Sequence, residues 1–481
     1  MITFICALAA LVIGYLIYGK TVDKLFGADP SRGVPAKEMA DGVDYVPLPT
    51  WKVFMIQFLN IAGTGPIFGA IMGILFGPAA YIWIVCGSIF IGGVHDYMTG
   101  MISVRNKGVS LPDVVGGEFG KGMKMAMRVF SLILLVLVGT VFTTTSAGLL
   151  AELTPTSAFW GSKSFWVVLI FIYFVLATIL PIDTLIGRFY PIFGAALLIM
   201  AFGVLAGIFT RTGYMPEIGE AFTSHHPKGL PIFPMLFVTI ACGAVSGFHG
   251  TQSPLMARCI KSEKYGRPVF YGAMVTEGVV ALIWAAAAIK FSGSYEALLD
   301  NLTGGNPAGG TNPAMLVNFI CQSWMGRVGA ILAVLGVVAA PITSGDTAFR
   351  SARLILADFL KVKNNKLAVR LLLALPVFAV SLVLLSIDFD VLWRYFAWSN
   401  QVLAAIGLWA FTAYQKRQGR PCMFCAIPAI FMTAVCASYF FISPEGMHLG
   451  RDLSYILGAV VTVALVAFNH WWLRSCCGGK K

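Results

Sequence analysis

Charge is what this chain has least of. Asp, Glu, Lys and Arg make up 12% of its 481 residues, about half the share carried by soluble proteins, while 58% are hydrophobic. A water-soluble fold is thereby excluded, and the chain reads as an all-α integral membrane protein. A Walker loop, a His-Glu-x-x-His or Gly-x-Ser-x-Gly motif and a Cys/His zinc spacing are also missing. ATP-driven transport and the commoner hydrolytic chemistries go with them, so no catalytic residue, cofactor or resident metal is expected. Acidic residues are scarcer than basic ones, 22 against 34, for a net charge of +12. The Lys and Arg are scattered through short connections and form no basic aromatic face, so nucleic acid is not an expected partner. The expected partners are a lipid bilayer and a small-molecule substrate; oligomeric state is not legible.

What is present is a series of thirteen apolar stretches, each near the roughly 20 residues that cross a hydrocarbon core of about 30 Å. A peripheral helix, Ile2–Gly19, comes first and a polar connector runs to Thr50. Its lack of a basic leader and of a cleavage site argues for a retained helix. Ten core helices are predicted over Lys52–Phe76, Ala79–Val104, Met125–Leu150, Ser164–Pro181, Phe189–Thr210, Pro231–Ser253, Pro268–Ile289, Val328–Ala348, Leu367–Ser386 and Val391–Tyr414. Two peripheral helices, Cys422–Ile442 and Leu453–Leu473, close the chain. The expected organisation is residues 1–50, helix and connector; 51–210, a first five-helix repeat; 211–230, an outer connector; 231–415, a second repeat; and 416–481, two helices and a short tail.

Basic residues orient the chain. Only Lys163, Arg211, Lys228, Lys290, Arg327, Arg394 and Arg451 fall on one face, and the other 27 of the 34 Lys and Arg fall on the opposite one. Cytoplasmic loops carry such an excess, so the N-terminus is expected outside and the C-terminus in the cytoplasm. A miscounted helix would have scrambled this alternation.

Two core helices, the first and the sixth, are interrupted by glycine, proline and polar residues. One reads Gln57-Phe-Leu-Asn60-Ile-Ala62-Gly63-Thr64-Gly65-Pro66, the other Ala241-Cys-Gly243-Ala-Val-Ser246-Gly247-Phe-His249-Gly250-Thr251-Gln252-Ser253-Pro254. They lie an odd number of helices apart, so two homologous units must sit upside down relative to each other. A 5+5 inverted repeat of the LeuT-like kind follows, in which broken helices hold substrate at midplane. Glycine that merely permits close helix packing is the plainer reading, but matching positions in both halves argue against it.

These residues also carry a family resemblance. Gln57–Pro66 with Phe68-Gly-Ala, Gly93-Val-His95-Asp96-Tyr97, Ala241–Pro254 with Met256-Ala-Arg258-Cys259, Glu277–Ala287, Pro341–Arg353 and Tyr395-Phe-Ala-Trp398-Ser-Asn400-Gln401 together resemble the carbon starvation protein A (CstA) family, in a short form. The resemblance implies an inner-membrane transporter of the amino acid, polyamine and cation superfamily, linked to starvation and to uptake of peptides or pyruvate.

An ionisable group at a helix centre costs several kcal/mol and is a functional candidate by default. His95, Asp96, His249, Glu277, Asp346 and Arg350 qualify. His249 sits just after the second break, beside Ser246, Thr251 and Gln252, and is expected to touch substrate or move a proton; a structural role is the alternative. Gly63, Thr64 and Gly65 are expected to face it across a cavity, with free amides from Gly65 to Phe68 suited to a carboxylate. Trp398, Asn400 and Gln401 would add a stacking wall and hydrogen bonds, although Trp398 equally suits packing. Glu277 is read as a proton carrier or the counter-ion of a buried base, and His95 with Asp96 as an ion-coupling pair or in a structural role, capping or pairing with a loop arginine.

For coupling, carbonyls of Ala62 and Gly63 are expected to meet hydroxyls of Thr343 and Ser344, with Asp346 behind. Either Na+ or H+ fits. Asp346 and Arg350, four apart, would alternatively form a local ion pair. Cys422 and Cys425 with Cys476 and Cys477 fall near one face, where they would pack, switch with redox state or bind metal; packing is expected. The loop from Ser292 to Trp324, rich in Gly and Asn, reads as a flexible lid. The expected function is secondary active import by ion-coupled alternating access, the alternatives being a nutrient sensor or a channel.

Overall fold

In the computed structural model the described residues are 1–42, 44–152, 154, 158–179, 182–305, 311–362 and 366–477, with backbone alone at 152, 182–189, 334 and 475–477. All regular structure among them is helical. In chain order the helices are α1 (Ile2–Phe26), α2 (Thr50–Ala62), α3 (Gly65–Phe76), α4 (Ala79–Arg105), α5 (Leu111–Phe119), α6 (Lys121–Glu152), α7 (Lys163–Ile179), α8 (Ile182–Thr210) and α9 (232–239). Then come α10 (Gly247–Ala257), α11 (Glu263–Ser292), α12 (Tyr295–Thr303), α13 (313–325), α14 (327–360), α15 (Leu367–Leu384), α16 (Phe389–Arg417), α17 (Met423–Ile442) and α18 (Arg451–Cys477).

Among the described residues nine helices are long and apolar enough to cross a membrane, and α2 with α3 makes a tenth span bent by 46° at its break. One of the nine, Pro313–Ala333, is itself bent at Gly326 (φ 61°, ψ −143°), so the crossing there belongs to α14. Adding α7, the α9–α10 pair and α16 gives thirteen passages among the described residues. The protein is a multi-pass membrane protein. Two five-span units, α2 to α8 and α9 to α16, lie in opposite senses around one core, which is the LeuT-like plan. Between them α6 runs along α14, α3 along α11 and α10 against α4, while α17 and α18 pack on the outside of α16.

Two expectations need correction. The first helix continues past Gly19 to Phe26, because its last turns are tied to the core. Tyr97 donates to Asp23 at 2.5 Å, Arg105 to the Gly27 carbonyl at 2.6 Å, and Arg420 to the Phe26 carbonyl. The Ser292 to Trp324 stretch is not a loose lid. Ser294 caps α12 by accepting the Ala297 amide at 3.1 Å, Glu296 favours the first turn, and Gly304 in the left-handed region (φ 61°) ends the helix. α13 follows, and residues 306–310 between them lie outside the described residues.

Candidate functional site

At the first break α2 stops at Ala62 and the chain turns through Gly63 (φ 31°, ψ −142°). A Cβ there would meet the Phe142 ring at 2.8 Å, so any other residue would be strained at this turn and would have to displace the ring. At the second, residues 240–246 are unwound around Gly243 (φ 92°), whose added Cβ would lie 2.8 Å from Ala281 Cβ and 3.2 Å from Pro66 Cα. Lipid satisfies no backbone group, so each freed carbonyl needs a protein donor. Trp83 Nε1 donates to the Ile240 carbonyl at 2.9 Å, Ser88 Oγ to Gly243 at 3.0 Å, and Gln401 Nε2 to Phe237 at 3.0 Å. Asn400 Oδ1 accepts both the Phe248 amide (2.8 Å) and Ser246 Oγ (3.0 Å), capping α10 from α16. Trp83 and Ser88 carry no motif and were not singled out from the sequence.

Four titratable side chains, all fully buried, meet behind this break. Asp96 accepts from both histidines, His95 Nδ1 at 2.9 Å and His249 Nδ1 at 3.0 Å, and His249 Nε2 lies 3.5 Å from Glu277 Oε2. The His95 ring packs against Gly250 and Gly407, where a Cβ would come within 3.0 and 3.2 Å of it. His95 and Asp96 thus pair within the bundle and not with a loop arginine. With Asp96 holding the Nδ1–H of His249, Nε2 is left to Glu277, and one proton placed between them sits on either the ring or the carboxyl. The line joins α4, α10 and α11.

The rest of the predicted set divides. Around the breaks, Gln57 Oε1, both ends of the Asn60 amide, Thr64 Oγ1 and Gln252 Oε1 are buried with no hydrogen-bond partner among the described residues, although Gln57 Nε2 donates to Ser253 at 3.1 Å. The free amides expected from Gly65 to Phe68 reduce to Gly65. Thr64's carbonyl takes Ile67 and Phe68 at 3.2 and 2.8 Å, and Pro66 has none. Trp398 turns away from the breaks, its indole donating to the Cys436 carbonyl at 3.1 Å and stacking on Phe440, 5.7 Å away. Gly63 and Gly65 pack on Phe142 and Cys242, while His249 faces Asp96 and Glu277.

On α14, Ser344 Oγ reaches α2 at the Leu59 carbonyl (3.2 Å), one turn before Ala62 and Gly63, and Thr343 Oγ1 bonds within its own helix to Ala340 at 2.8 Å. Asp346 accepts from Tyr190 at 2.7 Å, a partner that sequence spacing gave no hint of. No ion pair within 4 Å joins Asp346 to Arg350, which donates to the Ala177 carbonyl at 3.0 Å. Cys425 is buried and Cys422 half-buried, while the Cys476 and Cys477 side chains lie outside the described residues.

On the side of the breaks bearing the 211–230 connector, a run of ring contacts descends from Trp393. Trp393 lies 6.2 Å from Phe68 and 5.5 Å from Phe396, Phe396 lies 5.9 Å from Phe142, and Phe142 lies 6.1 Å from Phe248, the neighbour of His249. Above it opens a cavity of about 230 Å³ between α3, α9 and α16.

Two crossed, broken helices from opposed repeats, with a titratable cluster beneath an aromatic layer, define a secondary transporter. The family described as carbon starvation protein CstA matches residues 1–162, 151–312 and 303–438, and the chain belongs to that family. An uncharacterized membrane protein of Haemophilus influenzae is 42% identical over 354 residues, 63% of this chain and 95% of that one. The peptide transporter CstA of Bacillus subtilis is 25% identical over 98% of this chain and 96% of its own. The pyruvate/proton symporter BtsT of Escherichia coli is 26% identical over 61% of this chain, which spans half the symporter's length. Among solved structures, a manganese transporter of Eremococcus coleocola superposes with a TM-score of 0.55 at 13% identity, covering 90% of this chain and 98% of that one.

Proposed function

We propose that this protein imports a small carboxylate solute, pyruvate or a short peptide, across the inner membrane by proton-coupled alternating access, as part of a starvation response. The observation that carries the reading is the Asp96–His249–Glu277 line. It puts a proton-exchanging pair of the second repeat, His249 and Glu277, directly behind the second break and ties it through Asp96 to a helix of the first. Solute is held at the breaks by Gln57, Asn60, Thr64 and Gln252, which carry buried donors and acceptors with no partner among the described residues, with the Gly65 amide for a carboxylate. Relatives named as a peptide transporter and as a pyruvate/proton symporter support both solute classes and the ion. The excess of Lys and Arg on one face supports a topology with the N-terminus outside and the C-terminus in the cytoplasm.

Sodium coupling is the second reading, favoured by Ser344 meeting the Leu59 carbonyl where α14 crosses α2. Uptake of labelled pyruvate and of short peptides into proteoliposomes, under a proton or a sodium gradient alone, separates the two. Accumulation driven by the proton gradient is the expected result. Accumulation under sodium alone moves coupling to α14, and none under either gradient overturns import and leaves a sensor.

A further inference from the structure

On the face that carries the excess of Lys and Arg, a cup of about 500 Å³ lies between the connector ahead of α2 and the turn that enters α11. Lys37, Lys261 and Lys264 line it with Thr50, Ser262 and Tyr265, and no carboxylate does. None of the three ammonium groups has a carboxylate within 4 Å among the described residues. The sign survives a wider count. The segments that build the cup, 29–38, 49–52 and 261–267, hold three acidic residues, Asp29, Glu38 and Glu263, against six basic ones. Glu263 is also fully buried on Arg105, 3.0 Å away. Beside the cup the same two helices open an apolar groove of about 390 Å³. α2 gives it Phe54, one turn beyond Thr50, and α11 gives it residues from Pro268 to Ile283, a rise of roughly 22 Å. Val12 and Tyr15 of α1 and Phe202 of α8 form its sides. Thr276 turns its hydroxyl back to the Gly272 carbonyl at 2.8 Å. Between cup and groove the Arg267 guanidinium lies over the Tyr15 ring, 5.4 Å from its centre.

We propose that cup and groove together bind one anionic phospholipid of the leaflet on that face, with its phosphate among Lys37, Lys261 and Lys264 and one acyl chain along α11. A basic pocket between transmembrane helices at the membrane surface is what such headgroups select, and Arg267 stands where headgroup gives way to acyl chain. The groove outruns the roughly 15 Å that one leaflet's hydrocarbon spans. Its sides, Val12 and Phe202, are both more than half exposed, so it opens sideways to lipid. α2 belongs to the first repeat and α11 to the second, so a seated lipid spans the joint between the repeats and stabilises it. The site stands whatever solute the breaks hold.

The full chain, purified in a neutral detergent, is titrated with phosphatidylglycerol, with phosphatidylcholine of the same acyl chains and with glycerol phosphate, and the thermal midpoint is followed, since a ligand of the folded state raises it. Each lysine near such a headgroup contributes about fivefold in affinity, so phosphatidylglycerol should act at about a hundredfold lower concentration than phosphatidylcholine, and glycerol phosphate should leave the midpoint unmoved. Changing Lys37, Lys261 and Lys264 together to Gln should erase that preference, and changing them to Arg should keep it. Lys121→Gln with Lys361→Gln and Lys366→Gln, on the same face outside the cup, should keep it too. At Gly272 an added Cβ meets nothing closer than 3.5 Å, so Gly272→Leu fills the groove and should weaken both lipids alike. Equal potency of the two lipids on the wild type, which needs no variant to fold, overturns the site, as does a preference that survives the triple Gln change or is lost equally in the outside variant. A full shift with glycerol phosphate alone gives the cup to a soluble phosphate and overturns the lipid, and unchanged lipid potency in Gly272→Leu overturns the part given to the groove.

Discussion

Glu277→Gln is the sharpest perturbation of the proposed mechanism. It keeps the side chain's shape and polarity and fixes it in a neutral form, so any effect belongs to the missing proton exchange. Charges 3.5 Å apart at an effective dielectric of about 20 interact by about 5 kcal/mol, more than three powers of ten in an equilibrium. That coupling ties the proton on His249 to the state of Glu277, and the substitution removes it. One proton moved per solute down a gradient of one pH unit supplies about 1.4 kcal/mol, which supports at most tenfold accumulation. Wild-type proteoliposomes should therefore concentrate solute up to about tenfold under that gradient. Glu277→Gln vesicles should equilibrate to parity, while exchange of internal for external solute without a gradient continues. A variant that still accumulates solute as the wild type does, with the same pH dependence, refutes the role given to this residue.

Gly243→Ala forces a side chain into φ 92° with its Cβ 2.8 Å from Ala281 and 3.2 Å from Pro66; a cost of about 2–3 kcal/mol should lower the thermal midpoint, whereas Gly117→Ala, in open space, should leave it alone. Glu263 is fully buried and accepts Arg105 Nε and Nη2 at 3.0 Å each and the Asp29 amide at 2.8 Å. Glu263→Gln strands the Arg105 charge at about 3–5 kcal/mol, read as faster proteolysis of the connector after Phe26; unchanged cleavage would contradict this lock. His226 packs on Phe76 with rings 4.8 Å apart; burial first, then the charge of Lys228, pushes its pKa down to about 4, so in the folded protein it resists a proton that a freed loop takes near pH 6.5. The packing is therefore stable above pH 6.5 and loses stability as pH falls towards 4, by about 1–2 kcal/mol at pH 5 given its partial exposure. Amide exchange over 224–230, corrected for its intrinsic pH dependence, should quicken between pH 7 and 5 and stop doing so in His226→Phe.

The spans and both breaks were legible because each signal is local: an apolar run has a length, and Gly63 and Gly243 interrupt one. The partners were not. Asp96 and His249 lie 153 residues apart on helices whose rotation about their own axes no single sequence reveals, so each read as an isolated candidate. The same ignorance of rotation aimed Trp398 at the solute, when its helix presents it to α17. The Gly and Asn between α12 and α13 suggested a lid, and the Ser294 and Gly304 that cap α12 lie inside the same Ser292 to Trp324 stretch. Trp83 and Ser88 could not have been found from their own surroundings, since what they satisfy is a carbonyl freed by unwinding elsewhere.

Where the two breaks cross, the fold is nearly bare of side chains. A Cβ on Gly65 would fall 2.2 Å from that of Cys242, and one on Gly69 2.9 Å from the Thr239 carbonyl oxygen. Backbone lies against backbone there, so no side chain sets the distance between the two half-helices. A residue larger than glycine at 65, 69 or 243 would wedge the crossing apart, and the relative placement of the two breaks is therefore written in glycines and not in the polar groups that surround them.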